Sequence, residues 1–290
     1  MRTESRARMD VVADPFALRF EAARQLRGPL TWGLDPSGDI LDEWGIGDTP
    51  DGLERFIDIV LPVAADTVGL IKPQAAFYER HGWRGVRALS RLVDEARSSG
   101  LLVVLDAKRG DVGSTNQAYA EAYLGPDAPM AADALTVHPY LGVAAMGSFV
   151  SRAAESGSCL LVVTRSSNAE GRSVQAAVDS EGRSVEQALL DTISELNRAL
   201  APGEIGPVGA VIGPTHMDPC LDLVTPNALY LAPGVGQQGA SPEDVARVFS
   251  SCPDRVFPSA SRSLLSSPDP GQLREDVSGL AAEFIQVLRR

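Results

Sequence analysis

The sequence predicts a (β/α)₈ TIM barrel with an extra N-terminal helix. Short apolar runs alternate eight times with longer segments of helical pattern. The runs are continuously apolar rather than alternating, as parallel strands covered by helices on both faces require. Nearly every run also ends in polar residues, and a barrel gathers such ends on one face. An open doubly wound sheet is the structural alternative, but eight units within about 260 residues favour closure. Residues 1–290 read as a single barrel domain.

Residues 1–29 form the N-terminal extension and helix. Asp14-Pro15 is expected to be an N-cap with Pro at the first helical position, and Phe16, Phe20 and Ala23 share one face that could plug the bottom of the barrel. The expected strands are Leu30 to Leu34, Val68 to Ile71, Leu101 to Leu105, Ala134 to Val137, Cys159 to Val163, Val208 to Ile212, Leu229 to Leu231 and Arg255 to Pro258. Helical spacing recurs over Gly52 to Asp66, Arg84 to Ser99, Leu141 to Ser156, Val185 to Leu200, Pro242 to Ser251 and Gln272 to Leu288. These are the crossovers that parallel neighbours need. The segment 168–184 is rich in Gly, Ser and charge and reads as a long loop after strand five, of the kind that can close over a ligand.

Composition narrows the function classes. A chain with 44% hydrophobic and 22% charged residues, and no apolar run near the roughly 20 residues that span a bilayer, fits a soluble globular protein. The start, MRTESRARMD, has charges without an apolar core behind them, so a cytoplasmic enzyme is expected rather than a secreted one. A net charge of −12 repels nucleic acid and anionic membrane, so neither is an expected partner. Cys159, Cys220 and Cys252 are too scattered for a disulfide framework or zinc knuckle and are expected in the core. His81, His138 and His216 share no metal spacing, so no metal is expected.

The basic residues are 24 arginines and two lysines, Lys72 and Lys108, and Lys108 stands in "LDAKRGD" between Asp106 and Asp111. In isolation such a turn could be a solvated charged loop. Yet arginine would serve a surface equally well, whereas only an ammonium gives up a proton readily. Asp106 and Lys108, two apart at a strand end, should project to the same side, with the carboxylates keeping Lys108 charged until a carbanion appears. Lys72, ending the preceding strand, adds a second ammonium. Gly110 permits a turn that returns Asp111 to the mouth or sends it towards a neighbouring subunit.

Gly234 to Gly239 spell G-x-G-x-x-G, but they follow strand seven rather than opening a first βαβ unit, which rules against a dinucleotide fold. After strand seven such a loop fits a phosphate held by backbone N–H groups, and Arg262 after strand eight could add a bidentate contact. Asp35, in "GLDP" at the end of strand one, is a candidate ligand contact.

With these residues assembled, the chain resembles orotidine 5′-phosphate decarboxylase in the longer bacterial form of that family. The matching segments are "GLDP" at Gly33, "IKPQAAFYE" at Ile71, "DAKRGDVGST" at Asp106, "HPYLG" at His138, "SSN" at Ser166 and "APGVGQQG" at Ala232. The resemblance implies cofactor-independent conversion of orotidine 5′-monophosphate to uridine 5′-monophosphate and CO₂, in pyrimidine biosynthesis. It implies that Lys108 protonates C6, that Asp106 lies near the departing carboxylate, and that Lys72 and Asp111 complete the charged network, Asp111 coming from the other subunit of a homodimer. It further implies that Asp35 contacts the ribose and Ser167 the pyrimidine, that Gln238, Arg262 and the loop of Gly234 and Gly236 hold the phosphate, and that Thr115 reaches substrate across the interface. Two departures stand out: Ser261 precedes Arg262 where many relatives have Gly, and Ser37-Gly38 follow "GLDP" where a longer side chain is expected. Two rival readings share the barrel: a metal-dependent sugar-phosphate decarboxylase or aldolase, and a catalytically silent nucleotide-binding scaffold.

Overall fold

The computed structural model describes residues 14–215, 220–236 and 239–289. Eight parallel strands pair in chain order and close, β8 bonding back to β1, with Thr31 opposite Ser259 and Trp32 opposite Ala260. They are β1 (Thr31–Leu34), β2 (Leu70–Pro73), β3 (Leu102–Arg109), β4 (Ala134–Val137), β5 (Cys159–Arg165), β6 (Val208–Ile212), β7 (Tyr230–Val235) and β8 (Val256–Ala260). The predicted barrel is therefore observed, and the open sheet is not.

The helices are α1 (Phe16–Arg27), α2 (Gly38–Glu43), α3 (Pro50–Thr67), α4 (Ala75–Glu79), α5 (Gly82–Ser98), α6 (Gly113–Tyr123), α7 (Gly147–Ser156), α8 (Arg172–Gln175), α9 (Val185–Leu200), α10 (Pro242–Val248) and α11 (Pro270–Val287). Among the described residues, none is long and apolar enough to cross a membrane. Several begin where side chains satisfy otherwise orphaned N–H groups: Thr49 Oγ1 accepts from Gly52, Ser184 Oγ from Gln187, and Ser241 with Asp244 forms a reciprocal capping box before Pro242. Asp14 does not cap α1 as expected. Pro15 occupies the N-cap position and its carbonyl accepts from Leu18 and Arg19.

Strand alternation divides the core in two. In β3, Val103 and Leu105 face outward into the layer between strands and helices, while Leu102 and Val104 face the barrel interior. Leu70, Ala134, Leu161, Val211, Leu231 and Phe257 join that interior, and Phe16 and Phe20 of α1 close it from below. The Phe257 ring lies 6.1 Å from that of Phe16 and 5.3 Å from that of Phe20, so α1 does plug the bottom. Cys159 and Cys252 are buried as expected; Cys220 is exposed, a departure from the core placement read from its size.

Candidate active site

The interior layers are apolar at the bottom and polar at the top, and the strand period explains why. Lys72 lies two residues beyond inward-facing Leu70, Asp106 two beyond Val104, Thr136 two beyond Ala134 and Ser259 two beyond Phe257. Each side chain therefore caps an apolar layer. Together with Asp35 they line a cavity of about 330 Å³ at the C-terminal ends of the strands.

Asp106 is 7% and Lys72 6% exposed. Oδ2 of Asp106 accepts from Lys72 Nζ at 3.0 Å, and Oδ1 accepts from Lys108 Nζ at 2.5 Å and from Thr136 Oγ1 at 2.8 Å. Burial pushes the Asp106 carboxyl upward, but the Lys72 and Lys108 ammoniums outweigh it and hold the group well below the usual carboxylate range. Burial likewise pushes Lys72 down, and the charges of Asp106 and then Asp35 outweigh it, leaving its pKa above the ordinary lysine value. Both groups are thus charged at neutral pH although buried.

Lys108 does not reach this arrangement by simple alternation. The strand does not stop at Leu105; it continues to Arg109, with a register shift against β4 between Leu105 and Arg109. Lys108 sits at φ 45°, in the left-handed region that costs an ordinary side chain about 1–2 kcal/mol. The turn returns its ammonium to Asp106 while its own N–H donates to Thr136 Oγ1 at 3.0 Å. The expectation that Asp106 and Lys108 meet holds; the route is a bulge.

Of the other predicted residues, Asp35, Ser167, Gly234 and Arg262 line the same cavity. Gly236, the next residue after lining Val235, is not itself among the lining residues, and its N–H donates to the Ala240 carbonyl at 2.9 Å. Asp111 and Thr115 are not among the residues lining the cavity of their own chain. The Asp111 carboxylate accepts from the Val112 N–H at 2.7 Å, and its backbone is clamped by Asn116. Gln238 and His216 lie outside the described residues. Gln74, Phe77 and Thr136 also line the cavity and were missed. The parity of Thr136 with Ala134 was the signal for it; Gln74 and Phe77 follow β2 in a stretch whose fold the sequence left open.

The orotidine 5′-phosphate decarboxylase / HUMPS family model matches residues 29–276. The chain is 46% identical over 272 residues to the orotidine 5′-phosphate decarboxylase of Streptomyces coelicolor, covering 93% of this chain and 97% of that one. The chain belongs to this family. It is 40% identical over 264 residues to the Myxococcus xanthus orotidine 5′-phosphate decarboxylase, covering 90% of this chain and 92% of that one. A crystal structure assigned to orotidine 5′-phosphate decarboxylase of Streptomyces avermitilis superposes with a TM-score of 0.91 at 44% identity, over 96% of this chain and 97% of that one. Membership of the orotidine 5′-phosphate decarboxylase family makes the chain an enzyme of the carboxy-lyase class.

Proposed function

We propose that this cavity decarboxylates orotidine 5′-monophosphate to uridine 5′-monophosphate in cytoplasmic pyrimidine biosynthesis, with Lys108 as the acid and without metal or cofactor. The observation that carries the reading is one buried carboxylate held between two ammoniums on the same cavity wall. When the bond from C6 to the carboxylate breaks, the electron pair stays on C6 in the ring plane, where it gains little delocalisation. A cation already in place is what such localised charge needs. Lys108 then transfers a proton from Nζ to C6, CO₂ leaves, and the neutral amine regains its proton from solvent.

The remaining roles follow the cavity's outline and, for Gln238 and Gly236, the family resemblance. Asp106 lies beside the leaving carboxylate, and Lys72 and Asp35 extend the alternation of charge. Ser167 meets the pyrimidine, while Arg262, Gln238 and the loop of Gly234 and Gly236 grip the phosphate, whose binding energy positions the distant ring. The donor set argues against a divalent cation, since Lys72 rather than a carboxylate ends β2 and two ammoniums already occupy the Asp106 oxygens that a metal would need.

Asp111 and Thr115 act across a homodimer in this reading. The support is that they lie outside their own chain's cavity while apolar Val112, Tyr140 and Leu141 stand exposed, 53%, 87% and 54%, on adjoining loops. Such a patch suits a second copy. The test is to incubate the protein with orotidine 5′-monophosphate and follow loss of orotate absorbance, with and without chelator. Loss at equal rate in both supports the proposal; no loss, or loss abolished by chelator, overturns it.

A further inference from the structure

Behind the Lys108 turn, facing away from the cavity, the guanidinium of Arg109 lies against the stacked rings of Tyr119 and Tyr123 on α6, 5.7 Å from the Tyr119 centroid and 5.6 Å from that of Tyr123. Its Nε and Nη2 donate to the Tyr123 hydroxyl at 3.3 and 3.1 Å, and Nη2 also pairs with Glu79 of α4. Its Nη1 folds back to the carbonyl of Ala107 at 3.3 Å, so the side chain straddles Lys108 and ties off the residue before it. The Arg109 carbonyl accepts from His138 N–H at 2.8 Å, fixing the residue after the turn to the loop beyond β4.

We infer that Arg109 is a positioning residue for the Lys108 ammonium, holding the left-handed turn shut from behind and registering it against α6, whose N-terminal loop carries Asp111. This rests on the proposed role of Lys108 as the acid. A non-glycine residue keeps a left-handed conformation only where its surroundings over-determine it. Lys108 has Thr136 on the cavity side, and Arg109 supplies the opposite side with one rigid fork serving three partners. Lysine at 109 would keep the charge but not the fork, because a single ammonium cannot bond the Ala107 carbonyl, Glu79 and the Tyr123 hydroxyl in that planar geometry. Arg109 is not among the residues lining the cavity, so its effect on chemistry passes through the placement of Lys108.

The test compares Arg109→Lys, Arg109→Ala and Lys108→Ala with the parent, measuring kcat on orotidine 5′-monophosphate and the Kd of uridine 5′-monophosphate. A misplaced acid predicts that kcat falls by at least about tenfold in Arg109→Lys and about 100-fold in Arg109→Ala. The product Kd, which reads the folded cavity, should stay within about threefold of the parent's. Arg109→Lys keeps the test open where Arg109→Ala does not fold. A kcat within about threefold of the parent's in Arg109→Lys overturns the inference, as does a product Kd that weakens as much as kcat falls. If Lys108→Ala turns over at the parent's rate, the reading of Lys108 itself fails; if only the Arg109 variants do, the inference alone fails.

Discussion

Lys72 Nζ and Asp106 Oδ2 stand 3.0 Å apart on neighbouring strands, both almost wholly buried at the top of the barrel interior. Removing Lys72 takes from the buried Asp106 carboxylate one of its two ammonium partners, leaving Lys108 and the Thr136 hydroxyl to offset its desolvation. Lys72→Met should therefore reduce stability by about 1–3 kcal/mol as well as activity. Denaturant unfolding of parent and variant measures it.

The same pair makes stability depend on pH at both ends. The Asp106 carboxyl is depressed in the folded state, so its contribution is fully present above the ordinary value of 3.8 and is lost as pH falls through the lower folded value. Lys72 is raised, so its contribution is fully present below 10.5 and is lost as pH rises through the folded value above that. The stability difference between parent and Asp106→Asn should be flat around neutrality and shrink both below about pH 4, as Asp106 protonates, and above about pH 10.5, as Lys72 loses its proton. Unfolding midpoints across that range give the curve.

Gly33 and Ser261 face each other across the β1 and β8 seam. A Cβ built on Gly33 would stand 2.6 Å from the Ser261 Cβ, too close for either backbone to avoid moving. Gly33→Ala is expected to cost about 1–3 kcal/mol through overpacking, and appreciably less in a Ser261→Gly background. Thermal unfolding of the two singles and the double shows whether the penalties couple.

A shared site predicts complementation. Asp111→Ala and Lys108→Ala should each be inactive, yet mixing them should restore activity, since random exchange makes about half the dimers mixed with one intact site each. No recovery after verified subunit exchange would count against Asp111 acting across the interface.

The barrel was legible because its strands are uniformly apolar runs with polar ends, a pattern that few other arrangements of eight crossovers satisfy. The lysines were legible through scarcity. What escaped had weaker signals. Helix α6 buries only Asn116 and Ala120 among its own residues, so no apolar stripe marks it, and it lacks a side-chain cap. The bulge at Lys108 left no trace either, since left-handed turns are ordinarily flagged by Gly or Asn and here the residue is held by Thr136 and Arg109, brought in from outside the turn or folded back on it. The expected long loop at 168–184 proved partly ordered, with α8 tied to β5 where Gln175 Oε1 accepts from the Ser166 N–H at 3.1 Å. That contact joins residues nine apart in sequence and has no periodic signature.

The most direct trial of the account is the turnover of orotidine 5′-monophosphate by the Lys108→Ala protein, measured beside its affinity for uridine 5′-monophosphate. Removal of the proton donor predicts a fall in kcat of at least about 10³-fold with product binding preserved. Turnover near the parent's rate in a protein that still binds the product would contradict it.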